Sequence, residues 1–273
     1  MSEFEYLRNL PFGQVVPGDS PVHRLDPRAR ILAFSLVLAA VLFSPSPLGL
    51  GLAMAGVLAG LRLARLPLGY ALRSLRSPLP FLIFLALLQV FFNALPDSGP
   101  IALHLWIFTL TPLDLLAGGM LLLRFADMVV GISFAGQVLS TSELAHGLDR
   151  LFSPLEKLKI PVHDGVMVVI VAVRFLPFLA QSAERIAKAQ ASRGAQWTRV
   201  GGGLFRRVRA QLPLLVPIFV TSLRRAETMA LAMDARGYAS RADPTSLVEL
   251  RFTGRDGLAV FVSIILAAAI ILI

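Results

Sequence analysis

Residues 189–196, "AQASRGAQ", and 232–240, "AMDARGYAS", each close an alanine-rich stretch with an arginine directly followed by a glycine. Glycine just past a helix end adopts the left-handed conformation at low cost, and arginine there complements the helix dipole. Either copy alone reads as a helix stop, whereas two near copies point to two similarly built helices. Worked back from these ends, the first helix runs from about Val162 to Arg193 around Pro177, and the second from about Leu204 to Arg236 around Pro213 and Pro217. Proline inside an apolar helix bends it. Ala183, Ala187 and Ala191 in the first helix and Ala226 and Ala230 in the second recur at helical spacing, and such stripes of small residues let helices cross closely. "WTRVGGG" at 197–203 supplies a turn between them, which makes an antiparallel pair.

The chain around this pair belongs in a bilayer. It has 273 residues, 56% of them hydrophobic and 16% charged, with a mean hydropathy of +0.72, too apolar for a soluble domain of this size. A net charge of +9 would suit nucleic acid only on a soluble body with a basic face, so no nucleic-acid partner is expected. The absence of cysteine removes disulfides, thiolate metal sites and thiol nucleophiles. The N-terminal stretch lacks the basic-then-apolar plan of a cleavable signal peptide and is expected to be retained.

Apolar segments at about 31–43, 47–61, 78–95, 112–140 and 257–273 are candidate spans, and in lipid they should be helices. The first two fall short of the roughly 20 residues a crossing needs and suit a helical hairpin bent at "SPSP", 44–47. With five spans, segments 1–30, 62–77 and 141–256 lie on one side and hold 4, 4 and 17 of the 26 Lys and Arg residues; Arg124 lies within a span. The positive-inside rule then places the N-terminus in the cytoplasm and the C-terminus outside. The reading is an all-α integral membrane protein: a membrane region of about four helices over 1–140, a cytoplasmic region of long helices over 141–253, and a transmembrane helix over 254–273. Thr141 and Ser142 before Glu143, and Ser153 before Pro154, read as helix starts.

The ordered set "SPVHRLDPRAR", "TSELAHGLDRLFSPLEKLKIPV", "RFLPFLAQSAERIAKAQASRGAQ" and "PLLVPIFVTSLRRAETMALAMDARGY" resembles the transmembrane T component of energy-coupling factor (ECF) transporters along nearly the whole chain. The resemblance implies two crossed cytoplasmic coupling helices whose terminal Ala-Arg-Gly motifs dock into two ABC-type ATPase subunits. Arg193 with Gly194, and Ala235, Arg236 and Gly237, take those positions; Ser192 stands where alanine is usual. It further implies a substrate-binding membrane S component that carries the vitamin or metal specificity, and a prokaryotic plasma membrane as the location. There is no G-x-x-x-x-G-K-[ST], so ATP and Mg are expected on the partner ATPases, with no cofactor in this chain and no enzymatic activity of its own.

Other residues carry paired readings. Leu214, Leu215, Ile218 and Phe219 suit either a sliding contact with the S component or burial against the chain's own spans. Arg124 and Asp127, three apart in the fourth span, form an intramembrane charge pair that neutralises itself, or Arg124 ties neighbouring helices together. Asp26 before Pro27 suits a cap on the first helix, while Arg24, Arg28 and Arg30 suit an anionic membrane lipid surface. Glu184 and Lys188 form an i,i+4 pair. Glu227 and Asp234 either offset Arg224 and Arg225 or join the docking surface. His23, His104, His146 and His163 lack metal-ligand spacing. The alternative function, an independent secondary transporter or channel, would need polar groups within the membrane and repeated halves.

Overall fold

Asp26 sets the first helix in motion. Its carboxylate accepts from the Arg28 amide at 2.9 Å and Pro27 occupies the first helical position, the arrangement expected of an N-cap. The computed structural model describes residues 20–92, 103–105, 108–110, 112–154, 162–194, 204–238 and 252–273; the N-terminal stretch and the turn expected at 197–203 lie outside them. The elements are α1 (Pro27–Phe43), α2 (Pro47–Leu63), α3 (Leu68–Arg76), α4 (Leu79–Phe92), β1 (Leu103–Leu105), β2 (Phe108–Leu110), α5 (Pro112–Val138), α6 (Thr141–Phe152), α7 (Val162–Ser192), α8 (Leu204–Ala235) and α9 (Gly254–Leu272).

The all-helical class holds, with one short addition. The antiparallel hairpin β1–β2 pairs Leu103 with Leu110 and Leu105 with Phe108, where "LHLWIFTL" is rich in residues that favour strands. α3 occupies part of the segment expected only to connect spans, with Arg73 and Arg76 in its last turn. Among the described residues, α5, α7 and α9 are long and apolar enough to cross a membrane.

Two compact units divide the described residues, one falling within His163–Glu249, the other within Gly13–Val162 and Leu250–Ile273. In the second unit, α1 and α9 run side by side in the same direction. At one end the Asp26 amide donates to Asp256 Oδ1 at 2.7 Å; at the other, Ser44 Oγ donates to the Ile270 carbonyl at 3.3 Å. α5 runs against α1: Arg30 near the start of α1 bonds the Val138 carbonyl at the end of α5, and Arg124 bonds the Ser44 carbonyl at the end of α1. The core forms two clusters, one around Val57, Leu61, Val130, Phe134 and Val138, the other around Ala40, Val41, Leu50, Ala53, Ala267 and Ile270. Phe34 meets Phe134 edge to face at 4.9 Å.

Lipid tails are as apolar as leucine, so close packing and interhelical hydrogen bonds must hold such helices together. Gly49 shows how close the approach is: a Cβ there would lie 2.5 Å from the Ile270 carbonyl oxygen and 2.6 Å from Ser44 Oγ. The α1–α2 hairpin is also short. Each helix has 17 residues, about 26 Å, while α5 continues twelve residues, about 18 Å, beyond Arg124 and the hairpin turn. The turn at Ser44–Ser46 therefore lies partway along α5.

Candidate functional site

α7 and α8 have 31 and 32 residues and end in the same turn. The Arg193 amide bonds the Gln190 carbonyl at 3.1 Å and the Gly194 amide the Ala191 carbonyl at 2.9 Å; at the second tip the Arg236 amide bonds Met233 and the Gly237 amide bonds Asp234, at 3.2 and 2.8 Å. Gly194 and Gly237 lie at φ +86° and +73°, the left-handed region that closes a helix by bonding back to its last carbonyls. Both boundaries fall where the sequence places them. Arg193 and Arg236 are exposed, held at equivalent positions on two helix ends. Ser192 Oγ donates to the Ala189 carbonyl at 2.8 Å, so the serine that replaces alanine turns its hydroxyl onto its own helix.

On α8 the patch that faces α7 differs from the expected alanine stripe, whereas Ala187 of the α7 stripe is buried. Arg225 places its guanidinium 4.8 Å from the centre of the Phe178 ring, a cation–π contact. Arg174, Phe175 and Phe178 line a pocket with Arg225, Thr228, Met229 and Ala232. The α8 residues at this patch follow an i, i+3, i+4, i+7 face. Ala226 stands about 100° around the helix from Arg225, and both Ala226 and Ala230 are exposed. Glu227 and Asp234 make no ion pair with Arg224 or Arg225 among the described residues, because Arg225 turns to the aromatic ring instead. The Glu184–Lys188 pair forms as expected, at 2.6 Å. On α8, Leu215 and Phe219 are 51% and 68% exposed, whereas Leu214 and Ile218 are half-buried.

Arg124 and Asp127 share α5, yet no ion pair joins them. Arg124 Nη2 donates to the Ser44 carbonyl at 2.6 Å, which ties α5 to the end of α1. Ser44 is the C-cap of α1, and a helix leaves its last carbonyls without intrahelical partners. A cation at that end satisfies one of them and complements the dipole. Asp127 is 1% exposed, and neither carboxylate oxygen has a hydrogen-bond partner among the described residues.

Sequence reasoning missed a second polar junction. Arg30, expected at a lipid surface, is 3% exposed; it donates to the Val138 carbonyl and to Glu143 Oε1, each at 2.8 Å. Glu143 and Ser140 form a capping box that opens α6: Ser140 Oγ accepts from the Glu143 amide at 3.1 Å and Glu143 Oε2 from the Ser140 amide at 3.0 Å. The cap is thus Ser140 rather than Thr141 or Ser142, and the S-x-x-E spacing was the available signal. Burial pushes the Glu143 carboxyl up, but hydrogen bonds from Arg30 and Ser140, with the Arg30 charge, outweigh it and hold it below its ordinary value. Ser153, read as a helix start, closes α6 as its C-cap.

Comparison with known proteins fits this architecture. The family model CbiQ, described as cobalt transport protein, matches residues 18–246. The energy-coupling factor transporter transmembrane protein EcfT of Brevibacillus brevis is 35% identical over 97% of this chain and 98% of its own length. The EcfT protein of Bacillus subtilis is 34% identical over 97% and 98%, and that of Thermanaerovibrio acidaminovorans 38% over 92% and 91%.

Proposed function

We propose, because this chain belongs to the CbiQ family of energy-coupling factor transmembrane proteins, that it transmits ATP-driven motion of two ABC-type ATPases to a substrate-binding membrane subunit. The observation that carries the reading is the pair of matched tips: Arg193 and Arg236, exposed on equivalent turns at the ends of two long helices. Each guanidinium offers a planar, multi-donor head to an acidic or carbonyl-lined groove on an ATPase, a geometry that lysine lacks. ATP and Mg belong to those partners.

Motion entering at the tips has a rigid path. Arg193 lies fifteen residues, about 22 Å along α7, from Phe178, and Arg236 eleven residues, about 16 Å along α8, from Arg225. When the ATPases close, two such arms joined at the Phe178–Arg225 patch change their relative angle. The exposed apolar side chains of Leu215 and Phe219, with Leu214 and Ile218 beside them, form the surface that slides against the substrate-binding subunit. That subunit selects the cargo, a vitamin or a transition-metal ion. The distribution of Lys and Arg orients the N-terminus and both tips to the cytoplasm.

The test is purification of the tagged complex from its membrane, with partners identified by mass spectrometry, for the natural chain and for Arg193→Glu/Arg236→Glu. Two ATPases and a small hydrophobic subunit should accompany the natural chain. The double variant should lose the ATPases while retaining the hydrophobic subunit. ATPases that stay bound to the double variant would reduce the tips to helix stops, and transport by the chain alone in vesicles would make it a secondary transporter.

A further inference from the structure

Between α1, α2 and α9, within one compact unit, lies a groove of about 1540 Å³, larger than the pockets that usually enclose a small metabolite. Its walls are apolar: Val37 and Leu38 from α1, Gly56 from α2, and Leu258, Val262 and Leu266 from α9. Its mouth is basic. Arg24 precedes α1, Arg65 follows α2 and Arg255 sits in the first turn of α9, and the Asp26–Asp256 bond places the starts of α1 and α9 at the same end. Arg30 also reaches the groove, but Val138 and Glu143 engage its guanidinium.

Two observations mark this mouth as more than scattered surface charge. Arg65 and Arg255 are exposed and have no ion-pair partner among the described residues. Arg65 also sits at φ +55°, just past the end of α2, where glycine would be the low-strain residue. A bulky side chain held in a left-handed backbone points to a use for that side chain. From Leu258 to Leu266 the apolar wall runs eight residues, about 12 Å, close to one leaflet's share of a hydrocarbon core about 30 Å thick.

We infer that this groove binds an anionic phospholipid, its phosphate held by Arg65 and Arg255, and an acyl chain lying along α9 between α1 and α2. Charge complementarity selects the headgroup, and wall length and polarity select a chain rather than a polar solute. A lipid seated there would fill the space between α1, α2 and α9 and make their packing sensitive to membrane composition. The inference rests on the membrane character of these helices and is independent of ATPase docking.

The experiment uses the purified complex in mild detergent, delipidated and titrated with phosphatidylglycerol or phosphatidylcholine, with retained lipid read by native mass spectrometry. Phosphatidylglycerol should be held in preference to phosphatidylcholine. Arg65→Glu/Arg255→Glu should weaken its retention about tenfold or more, and Arg65→Lys/Arg255→Lys should keep most of it. Val262→Trp, at a wall position 51% exposed, should displace the acyl chain and weaken retention comparably with every arginine in place. This chain has no cysteine, so Val262→Cys, labelled with a photoreactive group on the isolated chain before the complex is assembled, gives a single labelled position, which should cross-link to lipid. Equal retention of the two lipids would overturn the inference. So would retention insensitive to Val262→Trp, which would mean headgroup attraction at the surface alone, or cross-linking of position 262 to another polypeptide.

Discussion

Replacing Arg30 by methionine keeps most of the side chain's length and removes its donors, isolating what the guanidinium does for the fold. Two contacts vanish. The carbonyl of Val138, a fully buried residue in the last helical position of α5, loses its Arg30 partner, and an unsatisfied buried acceptor costs about 1–3 kcal/mol. The ion pair with Glu143 contributes less, because the Glu143 side chain is 39% exposed and water can replace the arginine; a solvent-screened pair is worth about 0–1 kcal/mol. Together these give a loss of about 1–4 kcal/mol, or roughly 3–12 °C in the unfolding midpoint, measurable by circular dichroism in detergent. Acid adds a second readout. Glu143 has a folded-state pKa below the ordinary 4.5, so its contribution is complete above that value and is lost as pH falls through the lower folded one. Arg30→Met removes part of the cause, so its midpoint should fall less steeply than the natural chain's as pH drops below about 5. Arg30→Lys should lie between, since one ammonium replaces a two-armed fork. A midpoint within 2 °C of the natural chain, roughly the precision of such a scan, with an unchanged acid slope, would refute the account of this junction.

Gly49→Ala should destabilise by about 1–3 kcal/mol in the same assay because backbone must shift to admit the methyl group, while Gly51→Ala, with open space around it, should be near neutral. Gly194→Ala and Gly237→Ala meet no neighbour within 4 Å but place alanine at positive φ, at about 1–2 kcal/mol each; ATPase recovery in pull-downs should drop several-fold, and asparagine at either site should restore part of it. Alanine recovering as much ATPase as glycine would contradict the role given to the turn. Arg124→Met leaves the Ser44 carbonyl without its cation and should lower the thermal midpoint more than Asp127→Asn does; the reverse order would mean that Asp127, and not the end of α1, is what Arg124 serves.

Local rules made the coupling helices legible. Their ends depend on a glycine that alone takes positive φ easily and on proline and alanine patterns within a single segment, so both boundaries, and the positions of Arg193 and Arg236, follow from neighbours in sequence. Asp26 as a cap and Glu184–Lys188 as a pair are local for the same reason. The Ser140–Glu143 box is equally local, since its three-residue spacing, and not the nearness of Thr141 and Ser142 to Glu143, sets the cap.

Partners distant along the chain had no such signal. Arg30 reaches Val138 and Glu143, 108 and 113 residues away, and its sequence neighbourhood resembles a membrane-surface cluster. Arg225 finds Phe178 rather than Glu227 or Asp234 because the α7–α8 patch falls on a different face of α8 from Ala226 and Ala230. An intramembrane arginine suits a tie between helices, but the target of Arg124, the carbonyl at the end of α1, depends on where the α1–α2 hairpin turns along α5. Hydropathy, capping and backbone preference act over a few residues, so the membrane setting, the extents of α7 and α8 and the matched Arg-Gly tips are written in the sequence alone. The tertiary structure alone decided which charges became internal ties and which were left at the mouth of the α1–α2–α9 groove, because a buried donor is assigned by whichever carbonyl the packing leaves unpaired beside it.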